Sequence, residues 1–149
     1  MNTRQTAETK PEGSNKYSNR PCDVLIVEDD PDDADLFLRT LQKVQMGVDT
    51  KITAHVVSNG IEASELFGKK KFDAIFLDIN MLPPDGMELA RRVRSSEINR
   101  ATPIVIITGG EERGLMTRAF QAGAHLFLSK PIDRAQLLRL IQVLLAPHS

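Results

Sequence analysis

Phe72-Asp73-Ala74-Ile75-Phe76-Leu77-Asp78-Ile79-Asn80 is an apolar run that stops abruptly at a carboxylate. Its length and its bulky apolar residues read as a strand buried on both faces, the kind found in parallel sheets. A charge inside such a core is costly, so Asp78 is expected at the strand's carboxyl end, in a crevice. Three other runs end in the same manner. Val24-Leu25-Ile26-Val27 stops at Glu28-Asp29-Asp30, Pro103-Ile104-Val105-Ile106-Ile107 at the hydroxyl of Thr108, and His125-Leu126-Phe127-Leu128-Ser129 at the ammonium of Lys130. In a parallel sheet these ends share one rim, where acid pair, lone acid, hydroxyl and lysine converge. That set suits a divalent cation and a phosphoryl group.

Outward from these runs the pattern alternates. Strand one covers about 23–28. Asp30 reads as an N-cap with Pro31 at the first helical position of a helix to about Met46, which Gly47 ends. Strand two covers about 52–57, before the turn Ser58-Asn59-Gly60 and a helix over about 61–68. Gly68 and lysines 69–71 close that helix and suit the negative end of its dipole. Strand three, 73–78, leads through a loop stiffened by Pro83 and Pro84 into a helix over about 87–97. Strand four (103–107), a helix near 111–122, strand five (125–129) and a helix over 133–145 complete the series.

This alternation predicts an α/β fold: a flavodoxin-like, doubly wound, five-stranded parallel sheet of order 2-1-3-4-5 with helices on both faces. Ligands of such sheets bind outside the strands' carboxyl ends where the winding reverses, here between strands one and three. Glu28, Asp29 and Asp78 fall there. Three clustered carboxylates repel one another and call for a hard cation, and an oxygen-ligand site that keeps some waters suits Mg2+. Helix capping accounts for Asp30 and Asp33 but poorly for Asp78, which precedes no helix directly. A carboxylate can act as a nucleophile and carry a phosphoryl group as an acyl phosphate. Thr108 and Lys130 offer a hydroxyl and a point charge for the phosphoryl oxygens.

With 149 residues, 41% hydrophobic and 26% charged, the chain has the composition of one globular domain. A net charge of −1 gives no electrostatic footprint for nucleic acid or an anionic membrane. No apolar stretch approaches the ~20 residues of a membrane span, and no secretory signal is evident. The single cysteine, Cys22, fits a reducing compartment, so the expected location is cytoplasmic. Residues 1–20 lack Leu, Ile, Val and Phe and are expected to form a disordered tail before a domain over 21–147. His55, His125 and His148 lie in or beside predicted strands or at the chain end, and no metal or catalytic role is expected of them.

The set Val27-Glu28-Asp29-Asp30-Pro31, Leu77-Asp78-Ile79-Asn80-Met81, Asp85-Gly86, Ile107-Thr108-Gly109, Ala122-Gly123-Ala124 and Ser129-Lys130-Pro131 resembles the receiver domains of two-component response regulators. The resemblance covers about residues 22–146. It implies a signalling switch rather than an enzyme, in which Asp78 accepts phosphate from a histidine kinase or histidine phosphotransfer protein. It further implies that Glu28, Asp29, Asp78 and the backbone carbonyl of Asn80 hold Mg2+. Thr108 and Phe127 would be a switch pair, and Lys130–Pro131 a cis bond. One departure stands out. The family has Met-Pro at the third and fourth positions after the acceptor, whereas here Met81 is followed by Leu82 and the prolines come at 83 and 84.

An aspartate-nucleophile phosphatase of the haloacid dehalogenase type is the enzyme alternative. It places its nucleophile after strand one with a second acid two residues on, unlike Asp78. No output domain is expected after the last helix, so the domain would act through a downstream protein without contacting nucleic acid. Leu137, Leu138, Leu140, Ile141, Val143, Leu144 and Leu145 exceed one buried stripe, and the surplus is expected to meet a partner or a second copy in a homodimer.

Overall fold

The structure, a computed structural model, describes residues 21–110 and 113–145. The expected tail at 1–20 and His148 lie outside the described residues. Five strands and five helices alternate: β1 (Cys22–Val27), α1 (Pro31–Gln45), β2 (Ile52–Val57), α2 (Gly60–Phe67), β3 (Ala74–Asp78), α3 (Gly86–Ser95), β4 (Ile104–Thr108), α4 (Leu115–Ala122), β5 (Leu126–Ser129) and α5 (Arg134–Leu145). The strands pair in parallel in the order β2-β1-β3-β4-β5, as expected for the flavodoxin-like class.

The apolar runs are strands because both of their faces are covered. Successive residues of β3 point to opposite sides. Ile75 and Leu77 join a core with Phe67, Leu89 and Val93 from α2 and α3, whereas Ala74 and Phe76 join Phe37, Leu41 and Ile141 from α1 and α5. Phe76 meets Phe37 edge to face, with ring centroids 5.1 Å apart.

α1 begins as its sequence requires. The Asp30 carboxylate accepts the Asp32 and Asp33 N–H groups, and Pro31 opens the helix. Its end differs from expectation. Met46 caps it in right-handed conformation, and Gly47, which is not left-handed, sits against Leu138 of α5. Lysines 69–71 fall beyond α2, whose last turn has no basic residue. Lys70 pairs instead with Asp23 at 3.6 Å and lies over the Phe72 ring. α4 starts at Leu115, after Gly114 in left-handed conformation, later than the expected 111.

The apolar surplus of α5 is largely absorbed at home. Leu137 and Ile141 are buried, Leu138, Leu140, Leu144 and Leu145 pack half-buried on the same core, and Val143 remains exposed. The larger exposed apolar side chains nearby are Met116 and Phe120 of α4.

Candidate functional site

At the rim between β1 and β3, Asp78 ends β3 and is 2% exposed, and Glu28 follows β1 and is 4% exposed. The Glu28 N–H donates to Val57 O and so continues the ladder one residue past the strand. Lys130 follows β5, tied by its N–H to Thr108 O. Its Nζ reaches 2.9 Å from Glu28 Oε1, 3.0 Å from Asp78 Oδ2 and 2.8 Å from Asp33 Oδ2. Lys130–Pro131 is cis, as the resemblance implied, and Pro83–Pro84 is cis as well.

Glycine at 86 is required by closeness rather than by a turn. A Cβ there would lie 2.7 Å from Asp78 O, so the α3 N-terminus can rest on the strand end only without a side chain. The neighbouring Asp85 caps α3 by accepting the Glu88 N–H. The loop in which the prolines are displaced rests on α2, where the Pro84 ring lies directly over Gly60.

The carboxylates form a graded set. Ligand oxygens of Glu28, Asp29 and Asp78 lie within 4.8 Å of one another, with Asp29 exposed and the other two buried. The Asn80 N–H donates to Asp78 Oδ1 at 3.0 Å. Burial and the neighbouring Asp78 carboxylate push Glu28 up to about 7. Burial pushes Asp78 up too, but hydrogen bonds with Glu28, the Asn80 N–H and Lys130 outweigh it and hold Asp78 below the usual carboxylate range. Burial draws Lys130 down, and Asp33, Glu28 and Asp78 together reverse this and hold the ammonium above its ordinary value. Three oxygen donors with a spare negative charge, one of them free to turn in solvent, fit a hard divalent cation such as Mg2+.

Thr108 reaches the same rim, but its hydroxyl is turned along the chain and donates to Gly110 O at 2.8 Å. Phe127 is half-buried, packed against the core on the α2–α4 face. The two described histidines stay out of the site. His55 Nε2 is 3.1 Å from Asp23 Oδ1, and the His125 ring meets Phe120 edge to face.

Asp33 is the residue that sequence reasoning missed. Capping was the role expected of it, and Asp30 performs that role while Asp33 binds Lys130. A signal was present: Asp33 lies one turn before Phe37, on the stripe that Phe37, Leu41 and Val44 bury. A carboxylate on an inward stripe needs a partner.

Comparison with known proteins agrees with this geometry. The response regulator receiver domain family matches residues 24–142. An uncharacterized 14.6 kDa protein of Leptolyngbya boryana is 31% identical over 120 residues, covering 80% of this chain and 87% of that protein. Hybrid signal transduction histidine kinase G of Dictyostelium discoideum is 31% identical over 121 residues, 80% of this chain but 3% of the kinase. Response regulator protein PilR of Pseudomonas aeruginosa is 31% identical over 117 residues, 78% of this chain and 24% of PilR. The chain thus spans a small part of several curated relatives. Among solved structures, the receiver domain of sensor histidine kinase PA1611 from Pseudomonas aeruginosa superposes with a TM-score of 0.73 at 28% identity, covering 85% of this chain and 98% of that one. That structure has a magnesium ion coordinated in its active site cleft. Vibrio cholerae chemotaxis protein CheY4 superposes with a TM-score of 0.73 at 26% identity, covering 84% and 99%. Among the described residues no helix is long and apolar enough to cross a membrane.

Proposed function

The chain belongs to the response regulator receiver domain family of two-component signalling, and from that premise we propose that Asp78 is its phosphoryl acceptor. The observation that carries this reading is the Lys130 ammonium bridging buried Glu28 and Asp78 beside the exposed Asp29 carboxylate. A phosphohistidine of a histidine kinase or phosphotransfer protein is the donor. An Asp78 carboxylate oxygen attacks phosphorus in line, and the P–N bond breaks with its electron pair returning to the imidazole. An acyl phosphate remains.

Glu28, Asp29 and Asp78 would hold Mg2+, with the Asn80 carbonyl as the fourth protein ligand. When bound, the cation neutralises charge on the phosphoryl oxygens. Lys130 then turns from the Asp78 carboxylate to a phosphoryl oxygen. Thr108 releases Gly110 O and donates to another, and Phe127 closes behind it. β4, α4 and β5 carry these movements, so α4 and β5 form the surface a downstream protein or a second copy would read. Labelling with acetyl phosphate and magnesium tests the reading. One equivalent per chain, located at Asp78 by mass spectrometry, is the expected result; steady turnover of a phosphomonoester would favour the phosphatase instead.

Magnesium binding should also depend on pH. In the metal-free fold Glu28 keeps its proton up to about 7, above the 4.5 of a free glutamate. Stability from this group is therefore full below about 4.5 and lost as pH rises through about 7. The cation takes the ionised form, so it must displace that proton. Its affinity is expected to be about tenfold weaker at pH 6 than at pH 8, read by calorimetry. An affinity that does not change across this range would contradict the raised Glu28 value.

The switch carries its own expectation. Beryllofluoride with magnesium should alter amide exchange in α4 and β5, and Thr108→Ala should reduce that change by at least half, roughly what losing one charge-assisted hydrogen bond implies. Exchange that stays unaltered in both proteins would remove Thr108 from the switch.

A further inference from the structure

Lys130 has three carboxylate partners, and two of them are wanted elsewhere. Glu28 and Asp78 are also proposed cation ligands, so ammonium and cation compete for the same buried oxygens. The third partner stands outside that set. Asp33 comes from the first turn of α1, with its side chain 39% exposed and its Oδ2 2.8 Å from Nζ. Glu28, Asp33 and Lys130 line one cleft of about 370 Å³ together with Leu36, Ile107 and Pro131.

We infer that Asp33 is a positioning residue for phosphoryl transfer: it holds the Lys130 ammonium at the rim while the cation occupies the buried carboxylates. The inference rests on the phosphoacceptor reading above and assigns Asp33 a part in it. Without Asp33 the ammonium stays on Glu28 and Asp78 and opposes the cation. Lysine has a long, flexible stem and a point charge, so a second anchor is needed to keep it in reach.

The charge of Asp33 would attract a cation even without touching Lys130, and the two effects separate in a double-mutant cycle. A charge acting through space alone lowers affinity by the same factor whether Lys130 is present or not. An anchor for Lys130 acts only when Lys130 is present. Magnesium affinity is therefore measured by calorimetry in the unsubstituted protein, Asp33→Asn, Asp33→Glu, Lys130→Met and the Asp33→Asn, Lys130→Met double variant. Asp33→Asn is expected to weaken binding about tenfold, as one unpaired ammonium beside the site implies. The same change in the Lys130→Met background should cost about twofold or less, since a partly exposed charge is well screened. Asp33→Glu should restore most of the loss.

Equal factors in the two backgrounds, or no loss in either, overturn the inference. Thermal melts of the same variants without metal read the ion pair directly, and additive melting shifts would also overturn it. Failure of the underlying reading looks different. In that case Asp29→Asn would leave magnesium binding unchanged, while Asp33 and Lys130 would still couple in the metal-free melts.

Discussion

Asp78→Asn is expected to take up no label from acetyl phosphate and magnesium where the unsubstituted protein takes one equivalent. The loss should exceed a hundredfold, because an amide oxygen is a far weaker nucleophile than a carboxylate and no covalent route remains. Neighbouring acids do not substitute. Glu28 is buried and held up to about 7, and Asp29 is exposed without the lysine contact that Asp78 has. The variant should melt no lower than the unsubstituted protein, since Lys130 keeps Glu28 and Asp33 and one of two facing carboxylates is gone. Mass spectrometry for phosphate and calorimetry for stability check both halves. Full labelling of the variant at another side chain would sink the assignment of the acceptor.

The largest stability effect is expected far from that rim, at Asn99. It is fully buried in the connection between α3 and β4, and every polar atom of its amide is used. Its Oδ1 accepts the Phe72 N–H at 2.8 Å and the Thr102 hydroxyl at 2.9 Å. Its Nδ2 donates to Phe67 O at 2.6 Å and Lys70 O at 2.7 Å. One side chain thus joins the end of α2, the turn after it and the entry to β3. Asn99→Ala takes the partner from the Phe72 N–H and the Lys70 carbonyl and leaves Phe67 O only the Ser96 hydroxyl at 3.5 Å. The expected cost is about 3–5 kcal/mol, or a fall of roughly 10–15 °C in melting temperature for a domain of this size. Asn99→Asp should fare no better, because a carboxylate cannot donate to Phe67 O and Lys70 O. A melting temperature within a few degrees of the unsubstituted protein would show that water replaces the amide.

Much of the proposed acceptor site was legible from the chain. Strands bounded by a carboxylate, a hydroxyl or an ammonium are local patterns, and parallel pairing alone carries their ends to one rim. The helix start at Asp30-Pro31 is local in the same sense, because its partners are the next two N–H groups. Glu28, Asp78 and Lys130 were thereby placed together before any coordinate. The same local reasoning placed lysines 69–71 at the end of α2, where they lie, but missed the pairing of Lys70 with Asp23, and it assigned Asp33 to capping. It was silent on Asn99.

The sequence by itself determined the alternating elements, their layering and which side chains reach the rim. These follow from periodicity, from strand length and from the cost of burying charge, all of which act over a few residues. Only the tertiary structure decided how the groups at the rim are shared. The Asp33–Lys130 contact spans 97 positions and the Asn99–Phe67 contact 32. No local preference encodes such pairs, because each depends on how elements distant in the chain dock against one another. The Thr108 hydroxyl illustrates the same limit. Its place at the end of β4 is a matter of sequence, but its donation to Gly110 O rather than toward Asp78 is set by the path of the loop. α5 carries more apolar residues than one stripe needs, and packing against α1 and the sheet absorbs most of them. Composition counts apolar side chains, and only the packed neighbours decide how much of their surface water still reaches.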